Sequence, residues 1–152
     1  MTSVEGLSSR SATATEASGR EFAARLRGGD VVLLEGDLAA GKTTFVRGLV
    51  DGLGGSADAV SSPTFVLLQS YDCTSDITVV HHVDLYRLAE NVKDLREIGL
   101  EEILSDATAI TAVEWPKDTL ATWIPADARI WRVAITTEED DSRLIEIAPP
   151  ER

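Results

Sequence analysis

The stretch that decides the fold reads GDLAAGKTTF, from Gly36 to Phe45. Its spacing matches G-x-x-x-x-G-K-[ST], the phosphate-binding loop. The apolar run DVVLLE precedes it and reads as a strand, and TTFVRGLVDGL follows it with helical spacing of its apolar residues. Because this motif requires a strand before it and a helix after it, the stretch predicts that the chain binds the phosphates of a nucleotide.

The strand before the loop indicates how the sheet is covered. Its residues VVLLE show almost no alternation of apolar and polar side chains, so both faces of the strand are expected to be buried. Further strands are indicated by SSPTFVLLQSY, ITVVHHVDLY and AITAVEW, and a late hairpin by ARIWRVAITT and RLIEIA. Strands and helices alternate early, and strands dominate late. The predicted fold class is α/β, a three-layer P-loop NTPase-like fold with a mixed, mostly parallel central sheet and late antiparallel strands.

The N-terminal dozen residues, MTSVEGLSSRSA, are polar and rich in serine, and they are expected to form a flexible arm over residues 1–12. Thr13 and Glu16 form a capping-box signal, so the first helix is expected to start with Thr13 as its N-cap. A third helical pattern, DLREIGLEEIL, comes before AITAVEW. At 152 residues and without an internal repeat, the chain is expected to form a single domain over residues 13–152.

Acidic residues outnumber basic ones by 26 to 14, which gives a formal net charge of -12. A large direct surface for nucleic acid needs clustered Lys and Arg, so this composition argues against one. No segment has the apolar length of a membrane span, and no signal-peptide core is visible. The single Cys73 cannot form an intramolecular disulfide, which favours a reducing, cytoplasmic location.

The residue types of the loop suit the binding of a triphosphate. Small residues let the backbone curl so that successive N–H groups converge on phosphate oxygens, and the helix that starts near Lys42 adds the positive end of its dipole. Lys42 can reach the β- and γ-phosphates, and the Thr43 hydroxyl can bind Mg²⁺. The predicted nucleotide-binding residues of the loop are Gly36, Asp37, Leu38, Ala39, Ala40, Gly41, Lys42, Thr43 and Thr44.

A phosphate-binding loop works with an acidic residue at the end of another apolar strand. Two residues qualify, Asp84 after TVVHHV and Glu114 after AITAV, and the sequence alone does not rank them. Either could hold Mg²⁺, directly or through water, or polarise an attacking water. Thr64 in SSPTF could contact the γ-phosphate or its metal, or its hydroxyl could satisfy the local backbone of a turn.

Two neighbouring histidines and a tryptophan are expected to have packing roles. His81 and His82 are adjacent in an apolar strand, so their side chains should point to opposite faces. A shared metal site is therefore not expected, and each is interpreted as a packed core histidine. Trp115 is interpreted as a packing residue.

Four segments follow one another in the chain: GDLAAGKTTFVRGL, SPTFVL, HVDLYRL and VEWP. Their succession resembles the bacterial TsaE (YjeE) family, the small P-loop ATPases of tRNA threonylcarbamoyladenosine biosynthesis. The resemblance runs from about Thr15 to Arg143, and the last three segments are its specific part. It implies a three-layer α/β fold, binding of Mg²⁺-ATP and weak ATP hydrolysis. It also implies work in a complex with the TsaD and TsaB proteins, which transfer the threonylcarbamoyl group to adenosine 37 of tRNA.

The resemblance also implies roles for single residues. Thr43 and Glu114 would be linked to Mg²⁺, and Asp84 and Thr64 would line the γ-phosphate side. The resemblance therefore implies Asp84, Glu114 and Thr64 as the catalytic residues. Arg143 would lie near the nucleotide. With a net charge of -12, the chain is expected to meet tRNA only indirectly, through its partner proteins.

The chain departs from the family pattern at two positions. Ser142 stands where the family has a glycine before Arg143, and Ala39 stands where the family usually has a glycine in the loop. Alanine at position 39 would be costly only if the backbone there has a positive φ.

The alternatives for a P-loop chain of this kind are a GTPase, a kinase and a binding module. A GTPase would carry N-K-x-D, but NVKD at Asn91 has its lysine one place late. A small-molecule or nucleotide kinase typically needs an acceptor pocket under an Arg-rich lid, and no such insertion is visible. A nucleotide-gated binding module without significant catalysis stays open, since slow hydrolysis could serve to switch a complex.

Overall fold

The structure, a computed structural model, describes residues 4–37, 39–61, 68–85, 99–116 and 118–150. The strands are β1 (Glu5–Ser9), β2 (Val31–Glu35), β3 (Leu68–Asp72), β4 (Val79–Asp84), β5 (Ala109–Glu114), β6 (Ile130–Thr137) and β7 (Arg143–Ala148). The helices are α1 (Ala12–Ala23), α2 (Lys42–Gly52) and α3 (Leu100–Leu104), with short 3-10 helices at Ala57–Ala59 and Asp118–Thr122.

The strands of the described residues join one seven-stranded sheet in the order β1-β7-β6-β2-β5-β4-β3. The central strands β6, β2, β5 and β4 are parallel to one another. β7 is antiparallel to β6, β1 is antiparallel to β7, and β3 is antiparallel to β4. β1 therefore runs in the direction of the central strands, and only β3 and β7 oppose them. The prediction of a mixed, mostly parallel sheet with late antiparallel strands is confirmed.

Apolar side chains cover both faces of the sheet, and β2 shows this most clearly. Val32 and Leu34 pack on one face with residues of α1 and α2. Val31 and Leu33 pack on the other face with residues of α3. Because side chains alternate along a strand, a continuous apolar run is buried on both faces only under a layer on each side. The predicted three-layer arrangement is therefore confirmed.

Helices α1 and α2 approach each other closely at two glycines. A Cβ atom on Gly48 would lie 1.8 Å from the carbonyl oxygen of Glu16, and one on Gly19 would lie 2.1 Å from the carbonyl oxygen of Phe45. The rings of Phe22 and Phe45 pack beside this crossing, with centroids 5.5 Å apart. The crossing holds α1 against the helix that follows the phosphate-binding loop.

The N-terminal segment differs from its prediction. The sequence predicts a flexible arm over residues 1–12, but Glu5–Ser9 forms β1 and pairs with β7 along its whole length. Four of the five residues of β1 are exposed, so main-chain hydrogen bonds rather than an apolar face attach this edge strand. An apolar pattern could not have predicted it, and the sheet extends back beyond the predicted start of the domain at residue 13.

The first helix also starts earlier than predicted. Its N-cap is Ser11, whose Oγ accepts a hydrogen bond from the backbone N–H of Ala14 at 3.0 Å. The prediction of Thr13 as the N-cap is therefore wrong. β1 ends at Ser9, so the chain must turn into the helix at once, and Ser11 is the cap residue that this short connection offers.

Two predicted elements are described only in part. The helix predicted for DLREIGLEEIL is present as α3, whereas residues 86–98 lie outside the described residues. The strand predicted after Pro63 is present as β3, and residues 62–67 likewise lie outside them. Among the helices that the structure describes, none is long and apolar enough to span a membrane.

Candidate functional site

The phosphate-binding loop leaves the sheet at the C-terminal end of β2 and enters α2. Gly36 has φ 150°, and a Cβ there would lie 2.4 Å from the carbonyl oxygen of Ile135 on β6, so only glycine fits. Gly41 has φ 112° and is the N-cap of α2. Free N–H groups at a helix N-terminus attract phosphate. These two glycines therefore place an anion-binding helix end at the C-terminal edge of the parallel strands.

Lys42 begins α2, and its side chain is held inside the site. The ammonium group donates a hydrogen bond to the carbonyl oxygen of Gly36 at 2.5 Å and lies 3.4 Å from the ring centroid of Trp115. Burial lowers the pKa of Lys42. The carboxylates that oppose this shift in pKa are those of Glu114, Asp84 and Asp37. Lys42 is thus a buried cation with acidic neighbours, and Trp115 belongs to the site as well as to the packing.

The two strand-end carboxylates lie side by side. Asp84 and Glu114 are register partners at the ends of the parallel strands β4 and β5, and only 2% and 3% of their surfaces are exposed. On its other side, Glu114 is the register partner of Leu34 on β2. Glu114 therefore stands between Asp84 and the strand that leads into the loop.

Glu114 is hydrogen-bonded directly to the loop. The Thr43 hydroxyl donates to Glu114 Oε2 at 3.1 Å. A hydroxyl and a carboxylate are the oxygen ligands that suit Mg²⁺. No group of three or more His, Cys, Asp or Glu side chains within the described residues could hold a metal. Mg²⁺ at this place would accordingly take its other ligands from phosphate oxygens and water, as is usual for this ion.

The contact between His82 and Glu114 was not predicted from the sequence. His82 is fully buried, but its Nε2 lies 2.5 Å from Glu114 Oε2, so it is more than a packed histidine. The ring of His81 lies on the other face, with Nδ1 2.9 Å from Ser70 Oγ, and the prediction of opposite faces is confirmed. The alternation of a strand places His82 on the same face as Asp84, and that signal could have found it.

Arg143, the first residue of β7, reaches back to the loop. Its Nε donates to the carbonyl oxygen of Ala40 at 3.0 Å, and its Nη2 donates to that of Ala39 at 3.5 Å. A cleft of about 220 Å³ opens here between the loop, the start of α1 and the β6–β7 turn, with Thr15 and Thr44 in its lining. Arg143 therefore supports the loop backbone from the edge of this cleft.

Three described residues of the site and its cleft have left-handed backbone without being glycine. Ala39 has φ 63°, Trp115 has φ 58° and Asp141, in the lining of the cleft, has φ 66°. A side chain in this region costs about 1–2 kcal/mol, because Cβ crowds the following carbonyl oxygen. The condition under which alanine at position 39 is costly is therefore met.

The structure brings together Lys42, Thr43, Asp84 and Glu114 from three separate segments of the chain. Leu38 and Thr64 lie outside the described residues, so their predicted contacts stay predictions. Cavities of about 380 and 430 Å³ exist elsewhere, and none of the described loop residues 36, 37 and 39–44 lines them. The cleft of about 220 Å³, by contrast, is lined by Gly41 and Thr44 of the loop.

A glycine-rich loop between a parallel strand and a helix, with a strand-end carboxylate bonded to its threonine, defines a P-loop nucleotide-binding protein of the α/β class. The family model described as "Threonylcarbamoyl adenosine biosynthesis protein TsaE" matches residues 9–145. The chain belongs to the TsaE family.

Individual relatives and a solved structure agree with this membership. The tRNA threonylcarbamoyladenosine biosynthesis protein TsaE of Streptomyces coelicolor is 44% identical over 97 residues, which are 64% of this chain and 64% of that protein. The protein of the same name from Rickettsia bellii is 38% identical over 128 residues, 84% of this chain and 83% of that one. The crystal structure of Bacillus subtilis YdiB matches with a TM-score of 0.74 at 26% identity, over 99% of this chain and 88% of that chain.

Proposed function

We propose that this chain is the ATP-binding and slowly hydrolysing subunit of the complex that makes threonylcarbamoyladenosine at adenosine 37 of tRNA, acting with the TsaD and TsaB proteins. The observation that carries the proposal is the hydrogen bond between Thr43 and Glu114, because it joins the phosphate-binding loop to a strand-end carboxylate. The relatives are named as tRNA threonylcarbamoyladenosine biosynthesis proteins, which supports this pathway.

ATP would bind with its phosphates on the loop and its adenosine towards the cleft beside Arg143. The cleft supports this orientation because it opens directly next to Gly41 and Thr44. Lys42 would exchange its contact with the Gly36 carbonyl for the β- and γ-phosphates, which are stronger partners for a cation. The site would thus replace internal hydrogen bonds by charge-assisted ones to the nucleotide.

Thr43 and Glu114 would hold Mg²⁺, and Asp84 would face the reacting phosphate and orient the attacking water. When bound, Mg²⁺ neutralises charge on the phosphate oxygens. The support is the donor chemistry of the Thr43–Glu114 pair and the place of Asp84 beside it. Thr64 remains the predicted contact of the γ-phosphate.

The two carboxylates can be told apart by matched neutral variants. Glu114→Gln should reduce the Mg²⁺ dependence of nucleotide affinity, whereas Asp84→Asn should lower the rate of hydrolysis more than the affinity. Both variants keep the size of the side chain. The reverse pattern would exchange the two roles, and no effect from either variant would contradict this location of the metal.

The acidic charge supports a role through proteins rather than through direct contact with tRNA. A net charge of -12 disfavours phosphate contacts, which need clustered Lys and Arg. ATP and ADP would shift a docking equilibrium by their different affinities for two states of the protein. We place this work in the cytoplasm, which suits the free, buried thiol of Cys73.

The decisive experiment measures binding of the chain to a purified TsaB–TsaD pair with ATP, with ADP and without nucleotide. ATP should favour association and ADP should not, and Lys42→Ala should remove the difference. Equal affinity in the three conditions would eliminate the switch, and no association in any of them would refute the assignment to this complex. Anisotropy titrations with labelled tRNA should show no salt-sensitive binding by the chain alone near physiological ionic strength.

A single-turnover assay distinguishes the ATPase from its alternatives. Hydrolysis should be slow for the isolated chain and should change when the TsaB–TsaD pair is added. Phosphate transfer to an added small-molecule or nucleotide acceptor would indicate a kinase instead. ATP that stays intact through many association cycles would indicate a binding module.

A further inference from the structure

A chain of hydrogen bonds runs from the phosphate-binding loop into the interior of the protein. It starts at Thr43, whose hydroxyl donates to Glu114 Oε2 at 3.1 Å. His82 Nε2 lies 2.5 Å from the same carboxylate oxygen. On the other side of the imidazole ring, His82 Nδ1 lies 3.1 Å from the hydroxyl oxygen of Tyr71. Three elements of the sheet and α2 are joined in this way.

The middle of this chain is closed to water. His82 is fully buried, Glu114 is 3% exposed and Tyr71 is 6% exposed. A buried carboxylate without hydrogen-bond donors carries a desolvation cost of several kcal/mol, so its donors determine which way it points. The hydroxyl of Thr43 and the imidazole of His82 both meet the same oxygen of Glu114, which fixes the carboxylate towards the loop.

The chemistry of the groups determines the direction of one hydrogen bond in this chain. A carboxylate oxygen accepts hydrogen bonds, so the ring N–H at His82 Nε2 is the donor to Glu114 Oε2. The Tyr71 hydroxyl at the opposite ring nitrogen then holds the ring in the orientation that aims Nε2 at the carboxylate. Loss of either contact would let the ring or the carboxylate rotate away.

Tyr71 is itself anchored at two further points. Its hydroxyl oxygen lies 2.6 Å from the side-chain oxygen of Gln69 and 3.3 Å from the carbonyl oxygen of Ser61, and its one proton serves one acceptor at a time. Burial raises the pKa of Tyr71, so the hydroxyl keeps its proton. Ser61 and Gln69 lie on either side of residues 62–67 in the sequence. The hydrogen-bond chain thus connects Glu114 with the chain just before and just after the SPTFVL segment.

We propose that His82 is a positioning residue for Glu114, and that Tyr71 positions His82 in turn. The inference rests on the proposed function, in which Glu114 helps to hold Mg²⁺. Groups that orient a metal-binding side chain typically contribute about 10- to 100-fold to metal affinity or activity. His82 therefore contributes to the Mg²⁺ dependence of nucleotide binding without touching the nucleotide.

Two substitutions of His82 test the contacts of its two ring nitrogens separately. The amide nitrogen of glutamine in His82→Gln can take the place of Nε2 and still donate to Glu114. The shorter side chain of His82→Asn keeps a polar group near Nδ1 but cannot reach Glu114. The quantity to measure is the ratio of ADP dissociation constants in EDTA and in saturating Mg²⁺, determined by calorimetry. His82→Asn should reduce this ratio by about tenfold, and His82→Gln should retain most of it.

Tyr71→Phe and His81→Gln complete the set. Tyr71→Phe removes one hydroxyl and should reduce the ratio by about two- to tenfold, the range of one neutral hydrogen bond. His81→Gln alters the opposite face of the same strand and should leave the ratio unchanged. If His82→Asn does not give a cooperative thermal transition, His82→Gln and Tyr71→Phe carry the test.

The outcomes distinguish the positioning role of His82 from the proposed function of the chain. A wild-type ratio in His82→Asn and Tyr71→Phe, or an equal loss of affinity with and without Mg²⁺, would overturn the positioning role and leave the proposed function standing. Wild-type protein whose ADP affinity does not respond to Mg²⁺ would refute both. The expected ratios together with no association with TsaB–TsaD would support the role of His82 and contradict the proposed complex.

Discussion

Replacing Ala39 by glycine should stabilise this protein. Ala39 has φ 63° and an exposed side chain, so glycine removes backbone strain without opening a cavity. The strain of an alanine in this region is about 1–2 kcal/mol. Glycine adds conformational freedom to the unfolded chain, which costs about 0.4–1 kcal/mol. Subtracting the midpoints of these ranges gives a net gain of about 0.8 kcal/mol in the free energy of unfolding.

The neighbouring Ala40 provides a matched control, because the same substitution there should have the opposite sign. Ala40 is not among the described residues with positive φ, and it is 1% exposed. Ala40→Gly adds the same unfolded-state freedom and also removes a buried methyl group worth about 0.8 kcal/mol. The expected loss is about 1.5 kcal/mol.

Urea denaturation followed by circular dichroism measures both changes, with thermal melting as a second method. A change of 1 kcal/mol should move the melting temperature by about 2–4 °C in a chain of this size. Ala39→Gly should raise the midpoint and Ala40→Gly should lower it, with unchanged denaturant slopes. A loss of stability in both variants would refute the left-handed backbone at Ala39 and the strain inferred from it.

Three further predictions concern the site and the packing around it. Lys42→Ala should weaken ATP binding roughly 10- to 100-fold, because it deletes a charged hydrogen-bond donor to the phosphates, and near-wild-type affinity by calorimetry would contradict the role of the loop. Gly48→Ala should destabilise the protein by about 3 kcal/mol in urea denaturation, since the new Cβ would lie 1.8 Å from a main-chain oxygen of α1; a loss under about 1 kcal/mol would show that the helices can separate. Burial lowers the pKa of His81 from 6.5, against the opposing effect of Asp106, so the unfolded state binds more protons and stability should fall as pH decreases through 6.5. His81→Gln should reduce that fall by at most about 1.4 kcal/mol per pH unit, and identical pH profiles of stability would contradict the shift.

The phosphate-binding loop could be located from the sequence alone, because it works through consecutive residues. Two glycines, a lysine and a threonine act at fixed separations, and their effects on backbone and charge are local. The same holds for the buried strand β2, whose continuous apolar run requires a layer on each face. Local pattern also gave Asp84 and Glu114 as strand-end carboxylates. Their register as neighbours needed the structure.

Pairings between distant segments could not be read from the sequence. β1 is exposed at four of its five residues and has no apolar pattern, and only its hydrogen bonds to β7, at the other end of the chain, make it a strand. The contact between His82 and Glu114 joins residues 32 positions apart. The left-handed backbone at Ala39 is likewise a property of the folded loop, since an alanine prefers other conformations when it is free to choose.

The sequence by itself determined which residues could serve the site, but only the tertiary structure decided which carboxylate meets the loop. Asp84 and Glu114 are equivalent in pattern, since each ends an apolar strand. In the sheet, β5 lies next to β2 and β4 lies one strand farther away. Glu114 therefore receives the hydrogen bond of Thr43. The physical reason is that a strand's alternating pattern sets which faces are buried, whereas the order of strands depends on how all the layers of the protein pack together.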